Sequence, residues 1–215
     1  SFPTRRSSDL SLGTGFFILM ILLYGAKTIT RNFEWKNDFV LITTDVKNSP
    51  NSAKINNAVG GVLLDANAKE KDPAKIEANL ARAKKHLLKA IELHPMYFDA
   101  YMLLGNAYFL SKEYSLAILR YEFILKYLPQ DEEAFKNLTL SYREKGRQAG
   151  MMENDPVKAI EYLNKAYSMN AEDQETISLL GVAHGVLKDY NKALEYFNKV
   201  LIKNPKNAEA HFNVY

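Results

Sequence analysis

Two stretches of this chain share one spacing. Phe98–Pro129, FDAYMLLGNAYFLSKEYSLAILRYEFILKYLP, is matched by Gln174–Pro205, QETISLLGVAHGVLKDYNKALEYFNKVLIKNP. In each, a glycine (Gly105, Gly181) is followed twelve residues later by an alanine (Ala117, Ala193), and the alanine twelve residues later by a proline (Pro129, Pro205). An aromatic side chain, Tyr121 or Phe197, stands four positions after the alanine. Two helices approach closely only where their side chains are small, so the glycine and alanine mark a crossing and the aromatic fills the groove beside it. Proline lacks an amide donor and disfavours helix in the residue before it, so it ends the second helix and turns the chain. One such pair cannot bury its apolar face, and a stack of pairs follows.

This order of small, small, large and helix-breaking residues resembles the tetratricopeptide (TPR) repeat, a helix-turn-helix unit of about 34 residues. The same register runs through residues 53–215. The first repeat, 53–97, has Gly60, Ala83, Leu87 and Pro95 in place, with eleven residues inserted between Gly60 and Ala83. Asp72-Pro73 inside that insertion reads as a cap and first helical position, so the second helix starts early and runs long. The third repeat, 132–173, has Thr139 in the glycine slot, Ala159 in the alanine slot and Ala171 in the proline slot. It carries eight extra residues around KGRQAGMMENDP, where Asp155-Pro156 repeats the Asp-Pro start. Repeats 98–131 and 174–207 are ungapped, and 208–215 reads as the opening of a fifth.

Before the repeats the pattern changes. Residues 1–10, SFPTRRSSDL, look like the in-frame translation of a sequencing-library adapter and carry no argument. Leu10–Ala26, LSLGTGFFILMILLYGA, contains seventeen residues without a charge. As a helix it spans roughly 26 Å, against a hydrocarbon core of about 30 Å. We therefore expect residues 11–27 to form a transmembrane helix, and the whole chain to be an all-α TPR solenoid preceded by one membrane span. A buried helix or a signal-peptide core is the alternative. Lys27, Arg31 and Lys36 would place the repeats in the cytoplasm by the positive-inside rule. Residues 28–52 form a connector expected to pack on the first repeat, with Trp35 at the membrane interface.

The charge of +3 is mild and mixed in sign, and implies neither nucleic acid nor an acidic partner. No cysteine is present, which excludes disulfides, thiolate catalysis and thiolate metal sites. No constellation reads as catalytic, cofactor-binding or metal-binding. His184 occupies the slot filled by Tyr108 and Tyr142 in other repeats, which makes it a packing residue. The sequon at Asn137 puts Leu138 in the core of a helix, so glycosylation there is not expected.

The surface left for function is the concave one, lined by outward positions of the first helix of each repeat. By register these are Asp99, Met102, Asn106, Phe109 and Leu110; then Glu133, Lys136, Leu140, Arg143 and Glu144; then Glu175, Ser178, Val182, Gly185 and Val186. Met102, Phe109 and Leu110 form an apolar patch beside Asn106, suited to a peptide or helix, or else covered by a neighbouring repeat. The lysine-asparagine clamp by which chaperone-binding TPRs hold a C-terminal carboxylate is absent, since its positions hold Asn57 and Gly61. An asparagine ladder at the sixth position is sparse: Asn137 and Asn213, against Ala58, Leu103 and Leu179.

The apolar helix, the connector TRNFEW with Arg31-Asn32 and Trp35, and NSAKINNAVGG entering the repeats together resemble the C-terminal part of the transmembrane and TPR repeat-containing O-mannosyltransferases and their bacterial relatives. The resemblance covers Ser11–Tyr215. It implies a parent that moves a sugar from a lipid-linked donor to protein hydroxyls, with its catalytic residues outside this stretch and its repeats in the periplasm or lumen. The chain would then be a membrane-anchored module that binds a protein substrate or partner for a glycosyltransferase. A membrane-tethered scaffold with no enzyme attached is the alternative.

Overall fold

The computed structural model describes residues 6–34, 38–208 and 210–211, with side chains for 13–29, 39–208 and 210–211. All described secondary structure is helical. Two helices, α1 (Arg6–Glu34) and α2 (Asp38–Asn48), precede four helix pairs: α3 (Ala53–Asn67) with α4 (Pro73–Leu93), α5 (Phe98–Leu110) with α6 (Tyr114–Tyr127), α7 (Glu132–Met151) with α8 (Pro156–Met169), and α9 (Gln174–Val186) with α10 (Tyr190–Lys203). Each helix packs on the next along the chain, and the first helices of successive repeats also touch, α3 on α5, α5 on α7 and α7 on α9.

The expected membrane span is corrected. α1 covers the uncharged stretch, but among the described residues no helix is long and apolar enough to cross a membrane. Absence of charge is a weaker property than continuous apolarity. Gly13, Thr14, Gly15, Tyr24 and Gly25 dilute the run, and Lys27 ends it short of a full bilayer core. Phe16, Phe17, Leu22 and Leu23 are exposed in this structure. α1 also continues through Thr28 to Glu34, into the stretch read as the connector. Trp35 and Lys36 lie outside the described residues, as does the adapter-like start up to Arg5. α2 packs on α3 through Phe39, Ile42 and Val46, which join the main apolar core.

The repeat pattern becomes contacts of one kind. A Cβ on Gly105 would lie 2.5 Å from Cε1 of Tyr121, and one on Gly181 would lie 2.7 Å from Cε1 of Phe197. Gly60 stands in the same relation to Leu87, at 2.4 Å from its Cγ. In each case the glycine makes room for the large residue four positions after the repeat alanine. Ala83, Ala117, Ala159 and Ala193 are all buried beside these contacts. In the third repeat the partner of Leu163 is Gly146, at 2.6 Å from Cγ, and Thr139 is not its counterpart. The extra residues do not form a loop. They extend α7 to 20 residues, against 13 in α5 and α9, so the crossing slides two turns along the helix.

α4 likewise runs 21 residues, capped by Asp72, whose carboxylate accepts from the Ala74 amide, with Pro73 at its start. The second helices end alike: His94, Leu128, Asn170 and Asn204 leave the helical conformation and each donates its amide to a carbonyl four residues back. Pro95, Pro129 and Pro205 follow three of them, and Ala171 follows the fourth without changing the turn.

Candidate functional site

The first helices of the first three repeats enclose a cleft of about 310 Å³. α3 contributes Gly61, Leu64 and Asp65; α5 contributes Leu103, Asn106, Phe109 and Leu110; α6 contributes Tyr121; and α7 contributes Asn137 and Leu140. Leu110 and Asp65 are exposed, while Asn106, Phe109, Asn137 and Leu140 are half-buried. The walls are mainly apolar, and Asp65 is their one ionisable carboxylate.

A polar floor crosses the cleft. The Tyr121 hydroxyl donates to Oδ1 of Asn106 at 2.7 Å, and Nδ2 of Asn137 donates to the same oxygen at 3.2 Å. Nδ2 of Asn137 also lies 3.7 Å from Sδ of Met102. The Tyr121 ring is almost fully buried behind Gly105. Burial, reinforced by the charge of Glu133, raises its hydroxyl pKa well above that of a free tyrosine, so it remains a donor at any physiological pH. Asn106 is thereby fixed by two hydrogen bonds from two other helices.

The register places the remaining concave residues differently. Met102 lies under the floor through Asn137, and Lys136 is exposed on α7 outside the cleft lining. Arg143 does not face the cleft. Its guanidinium meets Asp173 at 3.2 Å, Glu175 at 2.9 Å and Glu144 at 3.1 Å, and Arg147 extends the network to Glu144 and Glu175. This bridge ties α7 to α9. Burial works against the Asp173 carboxylate, but hydrogen bonds from Thr176 and the charge of Arg143 outweigh it and hold the group below the usual carboxylate range. Ser178 is half-buried on α9, and Val182 belongs to a second, smaller hollow with Gly146, Gly150 and Met151. The concave face is thus divided: Asn106, Phe109, Leu110 and Leu140 share the cleft, whereas Arg143 and Val182 lie beyond it.

Leu64, Asp65 and Tyr121 were not anticipated as site residues. The signal for two of them was present. Gly60 and Gly105 are 45 positions apart, and the same offset carries Leu64 and Asp65 onto Phe109 and Leu110. His184 is buried, stacks on Tyr196 at 5.6 Å between ring centres, and has Nδ1 3.3 Å from Asp189. That is the packing role its register implies. Among the described residues no group of three or more His, Asp or Glu side chains is arranged to hold a metal ion.

Family models of the tetratricopeptide repeat match residues 77–122 and 151–211. The chain carries tetratricopeptide repeats. These TPR units account for the crossings at Gly105 and Gly181, and they make the chain a protein-interaction module. Two curated relatives extend the comparison. The human protein O-mannosyl-transferase TMTC3 is 26% identical over an alignment that covers 91% of this chain and 25% of that protein. Anaphase-promoting complex subunit 3 of Schizosaccharomyces pombe is 25% identical over 61% of this chain and 19% of its own length. The chain therefore spans a quarter or less of these relatives. Among solved structures, YrrB, described as a TPR protein with an unusual peptide-binding site, superposes with a TM-score of 0.51 at 22% identity, covering 80% of this chain and 79% of that one. MamA from Desulfovibrio magneticus RS-1 does so with a TM-score of 0.51 at 19% identity, covering 88% and 96%. At these identities the superpositions speak to the fold alone.

Proposed function

We propose that this chain binds an extended segment of a partner protein in the cleft between α3, α5 and α7, as the partner-binding part of a larger protein. The observation that carries the reading is the cleft itself: apolar walls from three repeats around a fixed polar floor, on the face that a TPR solenoid offers to ligands. The size is that of a site for one or two side chains, which suits a short linear segment better than a folded surface. A parent resembling a protein O-mannosyl-transferase is the favoured setting, because the alignment with human TMTC3 covers 91% of the chain and so reaches beyond the repeats. In that setting the module would present a protein to a transferase that lies elsewhere. A scaffold that assembles a complex is the second reading, supported by the likeness to an anaphase-promoting complex subunit.

The binding reading is tested with Leu110→Arg, which places a long cationic side chain over the cleft from a position exposed enough to tolerate it. Wild-type protein panned against a phage-displayed random-peptide library should enrich peptides that Leu110→Arg, with unchanged circular dichroism, fails to bind. Enriched peptides that bind both proteins equally would place recognition elsewhere and overturn the reading.

A further inference from the structure

The hydrogen-bond inventory of the cleft floor is incomplete in an informative way. Oδ1 of Asn106 is saturated, because it accepts from both Tyr121 and Asn137. Its Nδ2, with two hydrogens, donates to nothing in the described protein. Nδ2 of Asn137 is engaged by Asn106 and Met102, and its Oδ1 accepts no hydrogen bond among the described residues. One asparagine therefore offers a donor and the next an acceptor, on neighbouring helices and in one cleft. A main chain carries the complement, one C=O and one N–H per residue.

Charge adds a direction. The lining holds a single ionisable carboxylate, Asp65, which makes no ion pair among the described residues, and no lysine or arginine. Glu133 stands close enough to act on the Tyr121 hydroxyl from the α7 side. Asp65 also lines an adjoining hollow with Lys69, Lys75 and Arg82, none of which pairs with it among the described residues. The bridges to Glu144, Asp173 and Glu175 hold Arg143 and Arg147 away from the site on its other side, and Lys136 is exposed on α7 outside the lining.

Resting on the reading that this cleft is the binding site, we propose that its ligand is an extended segment with a large apolar side chain next to a lysine or arginine, its main chain bonded by Nδ2 of Asn106 and Oδ1 of Asn137 and its cation beside Asp65. An acidic segment, or one anchored by a terminal carboxylate, is disfavoured by the same groups.

The test uses fluorescein-labelled peptides and fluorescence polarisation on the full chain. GSGFRGSG should bind about 3- to 10-fold tighter than GSGFEGSG, and GSGARGSG should bind more weakly than either phenylalanine peptide's apolar anchor allows. Asp65→Asn should reduce the preference for arginine by about 2- to 5-fold, the scale of an exposed ion pair, and 0.5 M salt should do likewise. N-methylation of the peptide, one amide at a time, should weaken binding at one position or more by about 5-fold or more with the protein unchanged, because it removes the main-chain donor to Asn137. Equal binding of the arginine and glutamate peptides, or indifference to N-methylation at every position, overturns the proposal. Library peptides that are acidic yet blocked by Leu110→Arg would overturn this chemistry and leave the binding site standing; peptides indifferent to Leu110→Arg would remove both.

Discussion

Gly60 and Gly61 are neighbours in the middle of α3, and the same substitution should act on them with opposite sign. A methyl group on Gly60 would sit 2.4 Å from Cγ, 2.5 Å from Cδ2 and 3.0 Å from Cδ1 of Leu87. Those are all the branching carbons of a fully buried side chain, so no small rotation clears the overlap. A methyl group on Gly61 would meet Cδ1 of Leu103 at 3.6 Å, an ordinary contact. Both changes gain the same helix preference, up to about 1 kcal/mol. Gly61→Ala should therefore be more stable than wild type by up to about 1 kcal/mol. Gly60→Ala carries in addition an overpacking cost of about 1–3 kcal/mol, and the helix term cancels between the two variants. The difference between them isolates the packing cost. Urea unfolding followed at 222 nm, with hydrogen exchange at α3 amides to localise the effect, reads it directly. Equal midpoints, or Gly60→Ala the more stable, would refute the claim that glycine is required there by Leu87.

Lys112 and Lys188 occupy equivalent turns between the two helices of their repeats with φ of 60° and 62°. Left-handed backbone costs an L-residue roughly 1 kcal/mol, so Lys112→Gly and Lys188→Gly should each raise the unfolding midpoint by the equivalent of about 0.5–1 kcal/mol, less the entropy of the added glycine. Wild-type or lower midpoints in both would contradict the strain. The bridge between α7 and α9 should fail in acid. Because the folded pKa of Asp173 is depressed, its contribution is complete above the unfolded value near 4 and is lost as pH falls through the folded value below it. Arg143→Met should shrink that acid-sensitive component of a pH–stability profile to the share held by the Thr176 hydrogen bonds, and a profile unchanged below pH 4 would refute it. Burial, then the charges of Lys85 and Arg82, lower the pKa of His86, which lies 2.9 Å from Oδ1 of Asn56. Stability should therefore rise with pH from the depressed folded value up to about 6.5, and NMR titration should find His86 titrating below a free imidazole.

How far the chain could be read in advance follows the range of each interaction. Gly105, Ala117, Tyr121 and Pro129 act within one helix pair at fixed spacing, so their positions declare the fold. The third repeat shows where that logic slips. Counting from the start of α7 put Thr139 in the glycine slot, but the inserted residues continue the helix, and Gly146 is the one that admits Leu163. Counting back eight residues from Asp155, the offset of Gly105 from Glu113 and of Gly181 from Asp189, lands on Arg147, one position past Gly146. α1 was misjudged because a lack of charged residues was given the weight of unbroken apolarity. The cleft was legible as a list of outward positions, and Asn106, Phe109, Leu110 and Leu140 do meet there. Its polar floor was not, since the bonds from Tyr121 and Asn137 to Asn106 depend on how three helices are angled, and Arg143 turned to carboxylates on another repeat.

Tyr121 belongs to two structures at once. Its ring is the wedge that sets the distance between α5 and α6, and its hydroxyl holds the amide that lines the cleft. Shaving off the oxygen alone would free Asn106 to swivel while the helices kept their spacing, so recognition could drift by one atom without endangering the scaffold. A smaller ring would loosen both together, which ties any larger retuning of this cleft to the architecture that carries it.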